Sequence, residues 1–408
     1  MIVRARTVLP MDGSPLENGA VAISGEHIVA VGTFEHIKKE WSGDILDLGE
    51  QLLLPGLINA HCHLDYTRLR GRIRPRGSFC EWIRAINSEK AGLSANDYVA
   101  SISAGIAEAV RFGTTSIVNF EAFPEIASQL SPPIRIWWLG EMIDVRSPES
   151  AANLVAEAVR NLERLPNWGL APHAPFTAST DLYRNCANVG RAKDVPLSTH
   201  LAESAEEMQM FAEGSGELYA FLRSIGRDMA DCQNRSPLSR FLASVANNQT
   251  GTKPDLDRWI VAHLNTLTET DFGLLGSIGS AFHVVHCPRS HQYFGHSRFE
   301  FDRLRRLRFN VCLGTDSLAS NEDLNLFAEM RSFLTAHPQV SRQEAVQMVT
   351  VNPAAALGCE HLLGRMRESS RADLIAIPDA GVGNPYDRVV EHVGPVSWRM
   401  AAGTILAA

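Results

Sequence analysis

The chain has no apolar run approaching the ~18–20 residues that cross a bilayer. It also has no block of like charge, no Cys-x-x-Cys pair, no internal repeat and no low-complexity segment. Each absence removes a class of function. A membrane-spanning role is not expected, and neither is a charged binding tail. With a formal net charge of −8, the chain carries no electrostatic footprint for nucleic acid or acidic membrane. Residues Met1 to Arg6 lead into Asp12-Gly13 with no hydrophobic signal core, and the seven cysteines (62, 80, 186, 232, 287, 312 and 359) are scattered and odd in number. These features read as reduced thiols in a cytoplasmic protein. Asn234-Arg235-Ser236 and Asn248-Gln249-Thr250 match the glycosylation pattern, which carries no weight without secretion.

What is present suits an enzyme. A chain of 408 residues with 45% hydrophobic and 21% charged content can build a large α/β domain with a smaller companion. Residues 1–52 read as short strands, Ile2–Val8, Gly19–Ser24 and Ile28–Val31, with turn signals at Asp12-Gly13 and Ser24-Gly25. From there, short apolar runs alternate with helix-period segments, the pattern of βα units and a parallel sheet. Eight strands are predicted: Leu53–Ala60, Thr115–Asn119, Ile134–Leu139, Trp168–Pro172, Pro196–His200, Trp259–His263, Phe282–His286 and Asn310–Gly314.

Between them, Ile102, Ile106 and Val110 form an apolar helical stripe stopped by Gly113, and Ser341 with Glu344 forms a capping box. Eight such units predict a (β/α)8 TIM-type barrel over residues 53–362. Leu222–Arg258 is a long excursion that either covers the active site or packs as a peripheral helical insertion; its Asn247–Pro254 stretch reads as loop. Strand-like pattern returns at Ala372–Ile377, Val389–Val393 and the C-terminal segment. Residues 1–52 and 363–408 are therefore expected to pair into one small β-sandwich domain.

The chemistry gathers at the predicted strand ends, where barrel enzymes place it. Alternate residues of a strand share a face, so His61 and His63 project side by side from strand one. Strand four runs into His173, strand five ends in His200 with Glu203 just beyond, and strand six ends in His263. Strand seven ends in His286-Cys287-Pro288, and strand eight in Gly314-Thr315-Asp316. One histidine is usually structural; several in register at strand ends point to a shared site.

These motifs, from Pro55–His63 through His200-x-x-Glu203, His263 and His286-Cys287-Pro288 to Gly314-Thr315-Asp316, resemble the amidohydrolase superfamily. Within it they resemble the branch of S-adenosylhomocysteine and methylthioadenosine deaminases, aminofutalosine deaminase and triazine chlorohydrolases. The resemblance spans nearly the whole chain, including the Ala372-Asp373-Leu374 return strand. It implies a metal held by His61, His63, His200 and Asp316, a ligand set suited to one divalent ion, zinc or Fe(II). Related branches hold two metals through a carboxylated lysine on strand four. The five lysines here (38, 39, 90, 193 and 253) do not end that strand, which favours a single metal.

The resemblance also assigns roles. A bound divalent ion lowers the pKa of water toward neutrality, making hydroxide available near pH ~7 to attack the amino-bearing ring carbon. Asp316 accepts the water's proton and His263 stabilises the tetrahedral centre. Glu203, one helical turn after His200, protonates a ring nitrogen and shuttles a proton to departing ammonia; an ordinary acid at a helix N-terminus would look the same. His173 faces the substrate or braces the metal ligands. Trp82 packs on the substrate or anchors a loop helix, and Glu89 sits near a sugar hydroxyl.

Two loops depart from the relatives. Arg289 to Phe299 is aromatic and basic with two extra histidines, so Arg289, His291 and Arg298 either bind a substrate carboxylate or phosphate or pair with neighbouring loops. Asp316 is followed by Ser317-Leu318-Ala319-Ser320-Asn321, a form that places Ser320 among the substrate contacts. It also leans toward an aminofutalosine-deaminase-like enzyme, whose substrate carries a benzoate.

The expectation is a hydrolase of non-peptide carbon–nitrogen bonds that deaminates an aminopurine nucleoside-type compound. The partner is a small heterocyclic substrate, and a homodimer is the default assembly. The alternative is release of halide or alkylamine from a triazine, or opening of a cyclic amide; Glu203 favours deamination because halide departure needs less ring protonation. A non-enzymatic scaffold would show decay of the ligand set, and every member is present.

Overall fold

A single glycine separates the two sheets of the molecule. Strand Gln51–Pro55 belongs to a sheet built from both chain ends; after Gly56, strand Leu57–His63 opens the barrel. The computed structural model describes residues 1–74, 77–246 and 256–407, so the predicted Asn247–Pro254 loop, with Asn248 and Lys253, lies outside the described residues. The uninterrupted apolar text of Leu53 to Ala60 predicts one strand and is in fact two. Gly56 makes the crossing because a Cβ there would stand 2.1 Å from Thr115 Oγ1. No helix among the described residues is long and apolar enough to cross a membrane.

The barrel sheet is parallel and follows chain order: Leu57–His63, Thr114–Glu121, Arg135–Met142, Trp168–Pro172, Leu197–Leu201, Trp259–His263 and His283–His286. An eighth strand, broken at Gly314-Thr315, closes it. Its first part, Val311–Leu313, pairs with the seventh strand, and its second, Asp316–Ser317, returns to pair with the first. The curled sheet is thus of TIM-barrel type, with strands in the predicted order and helices between them. Helix Ala95–Arg111 shows why such segments form. Ser94 and Asp97 make a reciprocal capping box, the Ile102/Ile106/Val110 stripe is buried, and Gly113 leaves at φ +82° where a Cβ would meet Ile375 and Val396.

In the terminal sheet, Ile2–Val8 pairs with Leu16–Ser24, Ile45–Asp47 and Gln51–Pro55, and Leu374–Pro378 pairs with Gln51–Pro55 and Trp398–Ala401. The two chain ends therefore share one eight-stranded sheet. The Val389–Val393 expectation is corrected, since residues Pro385–Glu391 form a helix. Asn384 caps it and Pro385 occupies its first turn, and these local signals outweigh the β-branched pair Val389-Val390, which is buried on one helix face.

The excursion beginning at Leu222 divides its role. Phe221, Leu222 and Ile225 line the cavity described below, whereas helix Pro237–Val245 packs outside the barrel through Phe241 against Tyr183 and Trp259.

Barrel and terminal sheet are pinned at their junction by Arg135, whose Nη1 lies 2.5 Å from Asp373 Oδ2 in a largely buried ion pair. Asp373 also accepts from Ala402 N, and its carbonyl accepts from Gly56 N. Arg135→Met leaves that carboxylate without its partner and is expected to lower stability by about 3 kcal/mol, read as a shift of the denaturation midpoint. An unmoved midpoint would remove the bridge from this account.

Candidate metal centre and substrate cavity

His61 and His63, on the same face of the first strand, meet His200 from the fifth, and their donor nitrogens lie within 4.8 Å of one another. Asp316, from the second half of the broken strand, brings Oδ1 to 3.5 Å from His61 Nε2 and 3.8 Å from His63 Nε2. All four side chains are buried. His63 Nε2 faces His200 Nε2 at 3.1 Å. Both His61 ring nitrogens are buried without a hydrogen-bond partner among the described residues. His200 Nδ1 donates to the His173 carbonyl at 2.9 Å, which leaves its Nε2 as a lone pair. His63 Nε2 meets that lone pair, and the unpartnered His61 nitrogens and Asp316 Oδ1 converge on the same spot, where a cation would accept lone pairs from all four. Donors around an ion with ~2.0–2.2 Å bonds sit ~3.4 Å apart, close to the 3.1 Å between His63 and His200 and the 3.5 and 3.8 Å from Asp316 to His61 and His63. Three imidazoles and one carboxylate therefore fit a borderline divalent ion.

The backbone is forced to deliver these groups. Ala202, His263, Leu264 and Asp316 all have positive φ, between +52° and +77°, conformations costing of order 1–3 kcal/mol that persist only where surroundings impose them. Asn59 supplies part of that restraint at strand eight. Its side chain donates to Thr315 Oγ1 and accepts from Thr315 N, across the barrel closure. Gly314 allows the approach, since a Cβ there would sit 2.8 Å from the His61 carbonyl oxygen. Glu203 is in a loop rather than one turn along a helix, because helix Ala205–Glu213 begins only after it. The turn at Ala202 swings its carboxylate back, within 3.7 Å of His263 Nε2 and inside a cluster with Asp316.

Burial dominates the electrostatics. It pushes His200 down to about 3 and His63 and His263 well below the ordinary imidazole value, so all three are neutral ligands or acceptors at pH 7. Burial also opposes ionisation of Asp316, but the facing His61, His263 and His63 outweigh it and hold that carboxyl well below the usual range. Glu203 goes the other way: burial, then the charges of Asp316 and Glu207, push it well above the usual range. Two carboxyls in one site are thus driven apart, Asp316 toward its ionised form and Glu203 toward its protonated one.

Above the metal centre opens a cavity of about 450 Å³ that includes His63, His200, Glu203 and Asp316. Phe79, Trp82, Ile83, Phe176, Phe221 and Leu222 give it an apolar wall. Trp82 lies on that wall and donates its indole N–H to the Ala319 carbonyl. His173 lines the cavity, with Nδ1 2.6 Å from Thr177 Oγ1, while its carbonyl braces His200, so both readings of this residue have a contact behind them.

Five expectations move. Arg289 does not reach this cavity, because Glu322 at 2.9 Å and Asp323 hold its guanidinium. His291 is also outside; its Nδ1 is 3.1 Å from Asn265 Oδ1, and Asn265 in turn donates to the Glu203 carbonyl. Ser320 is drawn down to Asp316 Oδ2 at 3.3 Å rather than out to substrate. Arg298 pairs with Asp302 on the surface, and Glu89 pairs with Arg72 outside the cavity.

Sequence reasoning missed Ser290, whose Oγ donates to Asp316 Oδ2 at 2.6 Å, and the cavity residues Tyr66, Lys90 and Glu141. Glu141, near the end of the third strand, was signalled by its position among strand-end polar residues. Lys90 and Tyr66, whose side chains are hydrogen-bonded to each other, had no such signal.

The amidohydrolase family model matches residues 52–393. A 5-methylthioadenosine/S-adenosylhomocysteine deaminase from Saccharophagus degradans is 27% identical over 405 residues, covering 92% of this chain and 83% of that protein. The crystal structure of Helicobacter pylori aminofutalosine deaminase in complex with methylthio-coformycin superposes with a TM-score of 0.85 at 21% identity, covering 100% of both chains. An adenosine deaminase from Xanthomonas campestris with bound zinc gives 0.80 at 23% identity, covering 99% of this chain and 92% of that one.

Metal analysis of purified protein is expected to find about one divalent ion per chain; two per active chain, or none after gentle preparation, would contradict the four-ligand site. Ser290→Ala removes the hydrogen bond that orients Asp316 and is expected to weaken metal retention roughly 10-fold in chelator competition.

Proposed function

The chain belongs to the amidohydrolase family, and from that premise we propose that it is a metal-dependent hydrolytic deaminase of an adenosine-type nucleoside. The observation that carries this reading is Glu203, a buried carboxyl whose proton affinity is raised well above the ordinary range, clustered with an Asp316 held well below it. Replacing an aromatic amino group with oxygen needs an acid at the ring nitrogen and a base at the water, and these two residues divide that work. The named activities of the similar proteins, acting on methylthioadenosine, S-adenosylhomocysteine and aminofutalosine, support the same substrate class.

In this reading His61, His63, His200 and Asp316 hold one divalent ion, zinc by analogy with the Xanthomonas structure. When bound, that ion supplies positive charge that acidifies water and stabilises developing negative charge. Asp316 takes the proton released by the water as its oxygen bonds to the amino-bearing carbon. Glu203 delivers its proton to the adjacent ring nitrogen, so the electron pair displaced from the ring has a place to go. The His263 side chain, 3.7 Å from Glu203, stabilises the tetrahedral centre. Glu203, now a carboxylate, takes the proton of the new hydroxyl as the C=O bond forms, and the proton held by Asp316 passes to the amino group, which leaves as ammonia; both carboxyls return to their starting states and the ring nitrogen keeps its proton.

His173 and Trp82 are read as substrate contacts, the first polar and the second against the face of the base, because both line the cavity. The apolar wall gives a nucleoside's far substituent a water-excluding seat. The domain division into a 53–362 barrel flanked by a sandwich of 1–52 and 363–408 is part of the same proposal. In its favour, Val3, Val21, Leu53, Leu374 and Met400, from five different strands of the terminal sheet, converge in one buried cluster.

Glu203→Gln is expected to abolish ammonia release, by at least ~100-fold, while bound metal remains at the wild-type level. Turnover unchanged in that variant would exclude the proton-shuttle role. A screen for ammonia release across methylthioadenosine, adenosine, aminofutalosine, guanine, cytosine and triazines identifies the substrate; activity confined to triazines would overturn the nucleoside reading.

A further inference from the structure

The basic loop after the seventh strand lines a second cavity, of about 590 Å³, that shares no lining residue with the metal cavity. Its ionisable lining residues are His286, Arg289, His291, His296, Arg298 and His337, and none is acidic. That is unexpected in a chain where acids outnumber lysine and arginine, 46 to 38. Arg289 is already paired, but Arg298 is 63% exposed and reaches Asp302 only at 3.8 Å. Deeper in, His337 is 1% exposed and neither of its ring nitrogens has a partner among the described residues; His296 Nε2 and His286 Nδ1 are likewise unpartnered. Buried polar atoms without partners are costly, and three histidines that border this cavity carry them, so a group that drew those nitrogens into hydrogen bonds would relieve that cost. Phe299 and Phe333 complete the lining with aromatic surface.

We propose that this cavity is a binding site for a small oxoanion, a carboxylate or phosphate group, distinct from the substrate site and coupled to it. Imidazole N–H groups and the Arg298 guanidinium are donors suited to an oxoanion, and Ser332 and Thr335 add hydroxyls to the lining.

The coupling runs through helix Pro288–Phe294, which lines the second cavity and touches residues that line the first. From this one helix Ser290 grips Asp316, Phe294 packs edge-on against Trp82 with ring centroids 5.0 Å apart, and His291 holds Asn265, which holds the Glu203 carbonyl. A ligand that contacts Arg289, His291 and Gln292 on the same helix therefore bears on a metal ligand, the cavity wall and the proton donor together. The coupling rests on the proposed deaminase reading; the site itself does not.

The test is calorimetric titration of the metal-loaded full chain with inorganic phosphate and, separately, benzoate, repeated on Arg298→Glu and His337→Phe. Saturable binding of one or both anions to the wild type is expected, weakened at least ten-fold in each variant. Arg298→Glu is on the exposed rim and is expected to melt and turn over like the wild type in the absence of anion. Tighter benzoate than phosphate assigns the aromatic wall a role and points to an aryl acid; the reverse points to a phosphate. Turnover of the wild type is expected to change with anion concentration at a midpoint matching the binding curve, and to be insensitive in Arg298→Glu. No saturable binding, binding that survives both substitutions, or binding abolished by a saturating metal-site ligand would overturn the site. Binding without any change in kcat or KM would overturn the coupling. Failure of every deaminase assay with anion binding intact would count against the proposed reaction and not against this cavity.

Discussion

One constraint organises the site: a carboxylate and three neutral imidazoles are buried together at the seam where the barrel closes. Asp316 comes from the last strand and His61 and His63 from the first, so closing the sheet and assembling the ligands are the same event. In a low-dielectric interior this set is unfavourable by itself, because buried imidazole nitrogens lack partners and the carboxylate lacks a full complement of donors. A cation resolves both problems. The strained residues at the strand ends, the glycine at 314 and the Asn59–Thr315 clasp all serve to hold the groups where a cation satisfies them.

The same burial sorts the acids and bases. Asp316 faces imidazoles, which favour its ionised form, whereas Glu203, a few ångströms away, is buried beside Asp316 and Glu207, which favour its protonated form. No separate device is needed to produce an acid and a base at one pH. Their different neighbours suffice, and those neighbours are set by which strand end each residue occupies.

The strand order, the barrel class and the gathered residues His61, His63, His200, Glu203, His263 and Asp316 were legible in the sequence, because each sits where an apolar run stops. What was not legible depends on local backbone direction. Apolar text from Leu53 to Ala60 does not reveal that the chain changes sheets at Gly56, since both strands are buried and neither alternates. Val389 and Val390 look like a strand until the capping asparagine and proline ahead of them are weighed. Arg289, His291 and Ser320 carry side chains suited to a substrate, but the first two sit on a helix and Ser320 in the turn after Asp316, and their contacts send them to Glu322, Asn265 and Asp316 instead. Chemistry was readable from residue type, and facing was not.

The Asn59–Thr315 clasp joins residues 256 positions apart, and strand Gln51–Pro55 waits for Leu374–Pro378 before that edge is paired. During synthesis the emerging chain must therefore carry an open barrel and an unpaired terminal sheet until nearly all of it has left the ribosome. Pairings of such long sequence separation are slow to form, and the exposed strand edges are prone to aggregate meanwhile. The proposed metal ligands become a complete set only when strand eight docks. Metal uptake would then mark the end of folding, and scarcity of the ion during growth should lower the yield of soluble protein as well as its activity.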